Sequence, residues 1–194
     1  NDVGRVIIIN EDLARDVLDF ASFRGKTIES DLSARDFSIN AMAYNLRTRQ
    51  LLDPTAGAAD LRGGKIRACS ETSLIDDPVR ILRAVRFAAD LGFSINKETG
   101  KLIKKSVELL KQTSPERIRD ELFKILGGPK PSAAIKSLDL LGALTYVLPE
   151  TLELKGVEQP PPHVLDVWNH TLKAVDYLEA ILDVLEPGYD NQKT

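Results

Sequence analysis

The sequence contains few of the residues that build disulfide frameworks and zinc sites. Its 194 residues include one cysteine, Cys69, and two histidines, His163 and His170. A single cysteine excludes an internal disulfide and fits a reducing, cytoplasmic setting. One thiol and two imidazoles cannot supply the four ligands of a structural zinc site. Cys69 has no basic neighbour that would activate its thiol, so we predict a structural role for it.

Long apolar runs and a strong charge excess are also absent. No window approaches the ~18 uninterrupted apolar residues of a membrane span, and no signal peptide is recognisable, so no membrane partner is expected. The net charge of −3 and pI near 5.5 give no global signature of a nucleic-acid binder. Any anionic ligand must therefore be held by a local basic surface. The composition, 43% hydrophobic and 28% charged, is that of an ordinary globular protein without an indication of oligomeric state.

The first ~70 residues have the pattern of a mixed α/β segment. The β-branched run 5–9 predicts a buried strand, and 17–21 predicts a second strand. Shorter candidate strands lie at 51–54, which ends at a proline, and at 65–68, which follows two glycines. The sequence therefore predicts an α+β fold whose strands are concentrated near the start.

From Asp77 onward the pattern becomes helical. A helix is predicted over 78–91, with Asp77 as N-cap, Pro78 in the first turn and Gly92 as the stop. Further helices are predicted over 97–110, 115–126, 131–140 and 165–185, with Ser114 capping the second of these. The run of prolines at 160–162 predicts a hinge or linker.

The first candidate for chemistry is the segment 31–44. On a predicted helix, Asp36 and Asn40 are four residues apart and share a face. With Arg35 beside them, a guanidinium, a carboxylate and an amide could bind a sugar hydroxyl and a phosphate together. The same helix would carry an apolar stripe formed by Phe37, Ala41 and Tyr44. The structural alternative is a helix start capped by Asp36 or Ser38, with Arg35 solvated.

The second candidate is the segment 76–87. Arg80, Arg83 and Arg86 advance by three along a predicted helix and would form an anion-attracting ridge. Asp77 beside Arg80 combines an acceptor with a donor fork, which could read the edge of a nucleobase. The structural alternative is a capping Asp77 paired with Arg80 at i,i+3 on a solvated face. That alternative leaves Arg83 without a carboxylate four residues away and gives Arg86 only Asp90.

Two other features have structural interpretations that we favour. The Pro and Gly residues of 53–64 indicate turns, with flexibility between two lobes as the functional alternative. His163 and His170 could share a helical face, with Asp166 between them. However, Pro162 places the helix start near His163 and no further ligands follow, so no metal site is predicted in this chain.

These segments, in order, resemble the class II tRNA nucleotidyltransferase and poly(A) polymerase family, the bacterial-type CCA-adding enzymes. Residues 35–43 are similar to the motif R-D-F-[TS]-x-N-A-hydrophobic-A, and 53–61 to D-P-x-x-G-x-x-D-L. Residues 76–87 resemble [ED]-D-x-x-R-x-x-R-x-x-R-F, and 114–122 the neck element S-x-E-R-I-x-x-E-L. The stretch from Asp166 to Leu172 is similar to the opening of an HD-like helical region. The likeness runs from Asp19 to about Asp183.

The resemblance implies a mixed-sheet nucleotidyltransferase head at 1–68, a helical neck that recognises the base at 69–155, and the start of an HD-like region at 156–194. It implies that Arg35 contacts the triphosphate or ribose of an incoming nucleotide. Asp77 and Arg80 would bind the base of ATP or CTP, and Arg83 and Arg86 would support the phosphates. Asp36 and Asn40 complete the expected nucleotide-binding set. The partner would be the 3′ end of a tRNA or another RNA.

The sequence departs from the family in one respect that bears on catalysis. The Gly-Gly and Asp-x-Asp elements, which hold the triphosphate and Mg²⁺ in the family, are expected upstream of Arg5 and are not in this sequence. Asp19 alone cannot build a two-metal centre. Because these elements are missing and the chain starts at Asn1 without a methionine, we expect a core fragment that selects nucleotides but has no catalytic residue and no activity by itself.

Three functions remain open from the sequence. The first is CMP and AMP addition to tRNA, and poly(A) addition by the same family is an alternative that these residues do not separate. The second is a non-catalytic module that binds nucleotide or RNA. The third, a purely helical interaction domain, is the least compatible with the arginine series.

Overall fold

The chain adopts an α+β fold in which small sheets precede a helical assembly. The computed structural model describes residues 3–9 and 15–185. Within them the strands form three separate two-stranded sheets, and helices predominate after residue 70. The predicted fold class is confirmed.

Each small sheet joins one pair of strands. β1 (Val3–Ile9) and β2 (Arg15–Ala21) are antiparallel, with Val6 opposite Leu18. β3 (Ala43–Asn45) and β4 (Gln50–Leu52) form a short hairpin, and β5 (Lys65–Ile66) pairs in parallel with β6 (Ser94–Ile95).

The prediction that 5–9 is a buried strand was half wrong. The strand is present, but Ile7 is 55% exposed and Ile8, which points to the opposite face, is 43% exposed. β-branched side chains favour the extended backbone whether or not a neighbour covers them. Composition therefore predicted the strand and could not predict its burial.

Nine helices lie in the described residues. Four of them are short: α1 (Ile28–Ser33), α2 (Gly57–Arg62), α3 (Ser73–Asp76) and α8 (Leu144–Val147). The five longer ones are α4 (Arg80–Leu91), α5 (Lys97–Ser106), α6 (Pro115–Leu126), α7 (Pro131–Leu140) and α9 (Val167–Leu185). The predicted bounds of α6 and α7 are confirmed. The predicted helix 97–110 is shorter in the structure. It corresponds to α5, which ends at Ser106, and a 3₁₀ segment, Val107–Gln112, follows.

The start of α4 differs from the prediction. Asp77 does not cap this helix, because its backbone is extended and Val79 occupies the N-cap position without a side-chain bond. The carboxylate of Asp77 turns instead toward a different helix. The predicted stop is confirmed, since Gly92 has a φ of 66° and ends α4 in the left-handed conformation.

The segment 31–44 is not the predicted helix. α1 ends at Ser33, and Phe37 forms an isolated antiparallel bridge with Ala68. Ser38 then begins a single 3₁₀ turn, and its N–H donates to the carbonyl of Arg67 at 2.8 Å. Pairing with a distant strand-like segment outweighs the local helical tendency, so the predicted shared face of Asp36 and Asn40 does not form.

The core is centred on α4, which packs against α6 and α7. Leu82 and Val85 of α4 are buried. Phe37 is also buried, and its ring meets that of Phe87 edge to face at 5.8 Å between centroids. The described part of the chain contains no helix that is long and apolar enough to cross a membrane.

Candidate functional site

A cleft of about 750 Å³ lies between the first half of the chain and the helices α4 and α6. Its walls come from the segment after β2, from α1 and the 3₁₀ turn, from the start of α4, and from one face of α6. Six of the seven predicted site residues line it: Arg35, Asp36, Asn40, Asp77, Arg80 and Arg83. The fold therefore brings two motifs that are some forty residues apart to one cavity.

Asp77 presents one occupied and one free carboxylate oxygen. Its Oδ2 accepts a 2.8 Å hydrogen bond from Nη2 of Arg117 on α6. Donating this hydrogen bond to the Asp77 carboxylate raises the pKa of the Arg117 guanidinium. Oδ1 of Asp77 is buried and has no hydrogen-bond partner among the described residues. An unpaired buried acceptor is costly, so this oxygen is suited to a donor from a ligand.

Arg80 is mostly committed to the protein backbone. Its side chain is only 10% exposed. Nη1 donates to the carbonyl and hydroxyl oxygens of Ser73 at 3.2 and 3.0 Å and to the Arg35 carbonyl at 3.3 Å, and Nη2 donates to the Ala34 carbonyl at 3.2 Å. Nε lies 3.9 Å from Oδ2 of Asp77. Arg80 therefore joins the two motifs, with its Nε turned toward Asp77.

Asp36 and Arg83 form an ion pair in the wall of the cleft. Nη2 of Arg83 lies 2.6 Å from Oδ2 of Asp36, whose Oδ1 also accepts the Phe37 N–H at 3.0 Å. The Arg83 side chain is 31% exposed and its Nη1 lies 3.9 Å from Glu121. An anion in the cleft would therefore meet an Arg83 guanidinium whose charge is already partly balanced by Asp36 and Glu121.

Arg86 does not line the cleft, in contrast to its predicted place on the arginine ridge. It lies between α4 and α6, where Nε donates to Glu121 at 2.9 Å and Nη1 contacts Asp90 at 3.2 Å. Its guanidinium also stacks on the Phe87 ring at 4.4 Å from the centroid. The carboxylates that pair with Arg83 and Arg86 come mainly from other elements, which sequence spacing along one helix could not reveal.

Glu121 is buried and lies close to Arg83, Arg86 and Lys124. Burial raises the pKa of its carboxyl, but hydrogen bonds from Lys124 and Arg86 outweigh that effect and hold the pKa below its usual range. Glu121 is thus ionised at neutral pH and joins α6 to α4.

Arg35 is held at the cleft by Asp31 and by the backbone of Asn40. Oδ2 of Asp31 accepts from Nη2 and Nε of Arg35 at 3.2 and 3.4 Å, and its Oδ1 accepts the Arg24 N–H at 3.0 Å. The bond from the Arg24 N–H and the pairing with Arg35 lower the pKa of Asp31 despite its burial. Nη1 of Arg35 donates to the Asn40 carbonyl at 3.3 Å. The side-chain Oδ1 of Asn40 is buried without a partner among the described residues.

Sequence reasoning missed the wall that α6 contributes. Arg117, Glu121 and Lys124 recur at i, i+4 and i+7, so they share one face of that helix and all line the cleft. The signal for this wall lies in the sequence from Arg117 to Lys124, where three charged residues recur at helical spacing. Asp31 was also missed as a site residue, since no pattern indicated that its carboxylate would be buried.

The segment 53–64 fits its structural interpretation. Asp53 closes the first turn of α2, accepting the N–H groups of Gly57 at 2.6 Å and Ala58 at 3.0 Å. Asp60 accepts from Oγ of Ser38 at 2.5 Å and from Nε of Arg67 at 2.6 Å. These bonds anchor the 3₁₀ turn that follows Asp36.

The described residues do not fit a catalytic metal. They contain no group of three or more His, Cys, Asp or Glu side chains that could hold an ion. Asp19 is paired with Arg5 at 2.7 Å. The rings of His163 and His170 lie edge to face at 5.4 Å between centroids, with no third ligand in the described part of the chain. Asp166 caps α9 by accepting the Asn169 N–H at 2.8 Å.

Two family profiles match the chain. Residues 9–67 match the family described as "Poly A polymerase head domain", and residues 92–154 match "Probable RNA and SrmB-binding site of polymerase A".

Curated relatives extend this similarity. The chain is 51% identical over 111 residues to a CC-adding tRNA nucleotidyltransferase of Geobacter sulfurreducens, covering 57% of this chain and 26% of that protein. It is 37% identical over 156 residues to an A-adding tRNA nucleotidyltransferase of Deinococcus radiodurans, covering 78% of this chain and 36% of that protein. The chain thus spans about a quarter to a third of the length of these relatives.

Solved structures show the same relationship in three dimensions. The Thermotoga maritima CCA-adding enzyme complexed with tRNA aligns with a TM-score of 0.66 and 34% identity, over 81% of this chain and 37% of that one. A CCA-adding enzyme complexed with CTP aligns with a TM-score of 0.61 and 33% identity, over 85% of this chain and 41% of that one.

Proposed function

This chain belongs to the class II tRNA nucleotidyltransferase and poly(A) polymerase family, and we propose that it selects and holds the nucleotide that such an enzyme adds to an RNA 3′ end. The proposed reaction is template-independent addition of CMP and AMP to tRNA, in the cytoplasm. The free oxygen of Asp77 is the observation that carries the proposal. ATP and CTP would occupy the cleft with the base toward Asp77 and the triphosphate toward Arg35.

The chemistry of the bases explains why Asp77 would select two of the four nucleotides. Adenine and cytosine both carry an exocyclic amine, which donates hydrogen bonds, whereas guanine and uracil carry a carbonyl oxygen at the same place. Oδ1 of Asp77 can only accept while the carboxylate is ionised. The exocyclic amine of adenine or cytosine can therefore donate to this oxygen. The carbonyl oxygen of guanine or uracil would instead face it as a second acceptor.

Arg117 and Arg80 support this discrimination in different ways. Arg117 occupies Oδ2 of Asp77 and fixes the orientation of the carboxylate. Nε of Arg80, beside Asp77, is a donor suited to the ring nitrogen next to the amine, which accepts in both adenine and cytosine. A donor and an acceptor in fixed positions can thus take the place of a template base.

The other cleft residues suit the sugar and phosphates. Arg35 is half exposed and carries the charge suited to a triphosphate. Oδ1 of Asn40 can accept from a ribose hydroxyl. Arg83 would support the phosphates while Asp36 holds it. Arg86 is reassigned in this proposal to a structural role, because it does not line the cleft.

Magnesium, which the family implies, would be held by carboxylates outside the described residues. No cluster of ligands among the described side chains suits it, and we derive no step through the ion. The chain alone is therefore expected to bind nucleotides and to leave RNA unextended. Nucleotide addition by the isolated chain with Mg²⁺ would contradict this assignment.

Titration of the purified chain with each of ATP, CTP, GTP and UTP tests the proposal. We expect ATP and CTP to bind at least about tenfold more tightly than GTP and UTP, the effect of mispairing one buried polar group. Asp77→Asn replaces the ionised acceptor with an amide that can also donate, so the preference should fall to within about twofold. Asp76→Asn, at the exposed neighbouring position, is the matched control and should keep the preference.

The outcomes also separate the candidate activities. Binding of ATP alone would favour poly(A) addition over CCA addition, and equal binding of all four nucleotides would favour a non-selective module. Absence of nucleotide binding would overturn the proposal.

A further inference from the structure

Asp31 occupies a position that the proposed chemistry does not by itself explain. It lies in α1, four residues before Arg35, and its side chain is only 10% exposed. A buried carboxylate in the wall of a cleft that receives a triphosphate would repel the ligand unless its charge were compensated. Its presence there needs a reason.

The geometry supplies that compensation from two directions. Oδ2 of Asp31 accepts both Nε and Nη2 of Arg35, and Oδ1 accepts the backbone N–H of Arg24. Both carboxylate oxygens are therefore occupied. The Arg35 side chain is 46% exposed, so the cation is on the open side of the pair and the anion is behind it. A ligand in the cleft meets the guanidinium first.

We infer that Asp31 is a positioning residue for Arg35, holding the guanidinium at the cleft while tying it to the chain that leaves β2. The inference rests on the proposed function, in which Arg35 contacts the triphosphate. A long arginine side chain loses rotamer entropy when it binds a ligand, and prior fixation lowers that cost. Within the described residues, the only other hydrogen bond that the Arg35 side chain donates goes to the Asn40 carbonyl, so loss of Asp31 would leave the guanidinium loosely held.

The bond to Arg24 gives Asp31 a second consequence. Residues 22–24 follow β2 and line the same cleft. One carboxylate therefore joins the wall formed after β2 to the arginine on the wall formed by α1. A change in the position of β1 and β2 would be passed to Arg35 through the Arg24 N–H and the carboxylate of Asp31.

A double-mutant cycle with ATP as the probe tests this inference. The variants are Asp31→Asn, Arg35→Met and the pair together, each checked for folding by thermal unfolding. Loss of one charge-assisted contact predicts about tenfold weaker ATP binding for each single variant. If Asp31 acts through Arg35, Asp31→Asn should weaken binding no further in the Arg35→Met background.

Two further variants keep the test decisive. Glu29→Gln removes an exposed acidic side chain from the same helix and should leave ATP affinity unchanged. Asp31→Glu keeps the charge but displaces it, so it should restore part of the affinity even if Asp31→Asn folds poorly. The preference for ATP over GTP should persist in all of these variants, because Asp77 is untouched.

The results distinguish failure of this inference from failure of the proposed function. A twofold or smaller effect of Asp31→Asn, or a full additional loss in the Arg35→Met background, would overturn the positioning role. If Arg35→Met itself leaves ATP affinity unchanged while base preference is intact, the positioning role fails and the proposed selection by Asp77 stands. Absence of ATP binding by the unmodified chain would overturn the proposed function, and the positioning role with it.

Discussion

Arg117 on α6 and Asp77 before α4 are 40 residues apart in sequence and joined by a 2.8 Å hydrogen bond between Nη2 and Oδ2. The bond joins α6 to the segment that precedes α4, and both residues line the cleft. It leaves Oδ1 of Asp77 as the free acceptor. The orientation of the residue proposed to read the base is thus set by a helix outside its own motif.

Replacing Arg117 with methionine tests this relationship. Without the guanidinium, the Asp77 carboxylate can rotate and offer either oxygen, so the preference for ATP and CTP over GTP and UTP should fall about fivefold or more. Nucleotide titration measures the change. Arg119→Met is the control, since Arg119 is exposed on the same helix and pairs with its neighbour Asp120 at 2.8 Å. A preserved preference in Arg117→Met would refute the orienting role.

Gly57 tests the contact between α2 and the 3₁₀ turn that follows Asp36. A Cβ at this position would lie 2.0 Å from the carbonyl oxygen of Ser38. Because that oxygen belongs to the backbone, we expect Gly57→Ala to lower the free energy of unfolding by about 3 kcal/mol or more. Urea unfolding measures the difference.

Gly100 provides the matched control for that substitution. It lies inside α5, and a Cβ there would meet nothing within 4 Å. Gly100→Ala should therefore stabilise the protein by roughly 0.5–1 kcal/mol, since alanine favours a helix interior. Equal effects of the two substitutions would contradict the proposed close approach at Gly57.

Substitution of Arg86 tests whether this arginine has a structural role or binds the nucleotide. Its side chain is 16% exposed and pairs with Glu121, which is 8% exposed. Arg86→Met leaves Glu121 with fewer cations, so we expect a loss of about 2 kcal/mol in the free energy of unfolding. ATP affinity of the folded variant should change less than twofold, and a tenfold loss would restore Arg86 to the binding set.

An exposed pair of equal length is the control for Arg86. Lys101 and Glu98 also lie 2.9 Å apart, but their side chains are 58% and 71% exposed. Lys101→Met should cost less than about 0.5 kcal/mol, because water screens such pairs. The two ion pairs have the same N–O distance and differ strongly in burial.

Cys69 makes a prediction about pH. Burial and the nearby Asp36 carboxylate raise the pKa of its thiol to about 11. Because the thiolate is the reactive form, alkylation by iodoacetamide at pH 8 should be roughly a hundredfold slower in the folded protein than in urea. The folded rate should keep rising through pH 10, whereas the unfolded rate should level off nearer pH 9. A folded rate that levels off at the same pH as the unfolded one would show an ordinary thiol.

Much of the helical half could be predicted from the sequence. The prolines and glycines that bound α6 and α7, and the left-handed Gly92 that ends α4, act through local backbone restrictions that hold in any context. The prediction of a helix over 31–44 was wrong because it considered only neighbours along the chain. Residues 31–44 have helical spacing, but Phe37 and Ser38 pair instead with residues 67–68.

The candidate site divides in the same way. Residue type and spacing identified Arg35, Asp36, Asn40, Asp77, Arg80 and Arg83, all of which line one cleft. Sequence could not assign most of their partners, because those come mainly from other elements. Asp36 forms an ion pair with Arg83, and Arg117 forms one with Asp77. Glu121 binds Arg86 at a position outside the cleft.

The sequence by itself determined which chemical groups this protein can offer and the bounds of α6 and α7, since both depend on residue identity and on neighbours along the chain. Only the tertiary structure decided which charges are neutralised and which remain available. That distinction depends on contacts between residues far apart in sequence. For this reason Oδ1 of Asp77 has no hydrogen-bond partner within residues 3–9 and 15–185, Arg80 donates mainly to backbone carbonyls, and Arg86 links two helices.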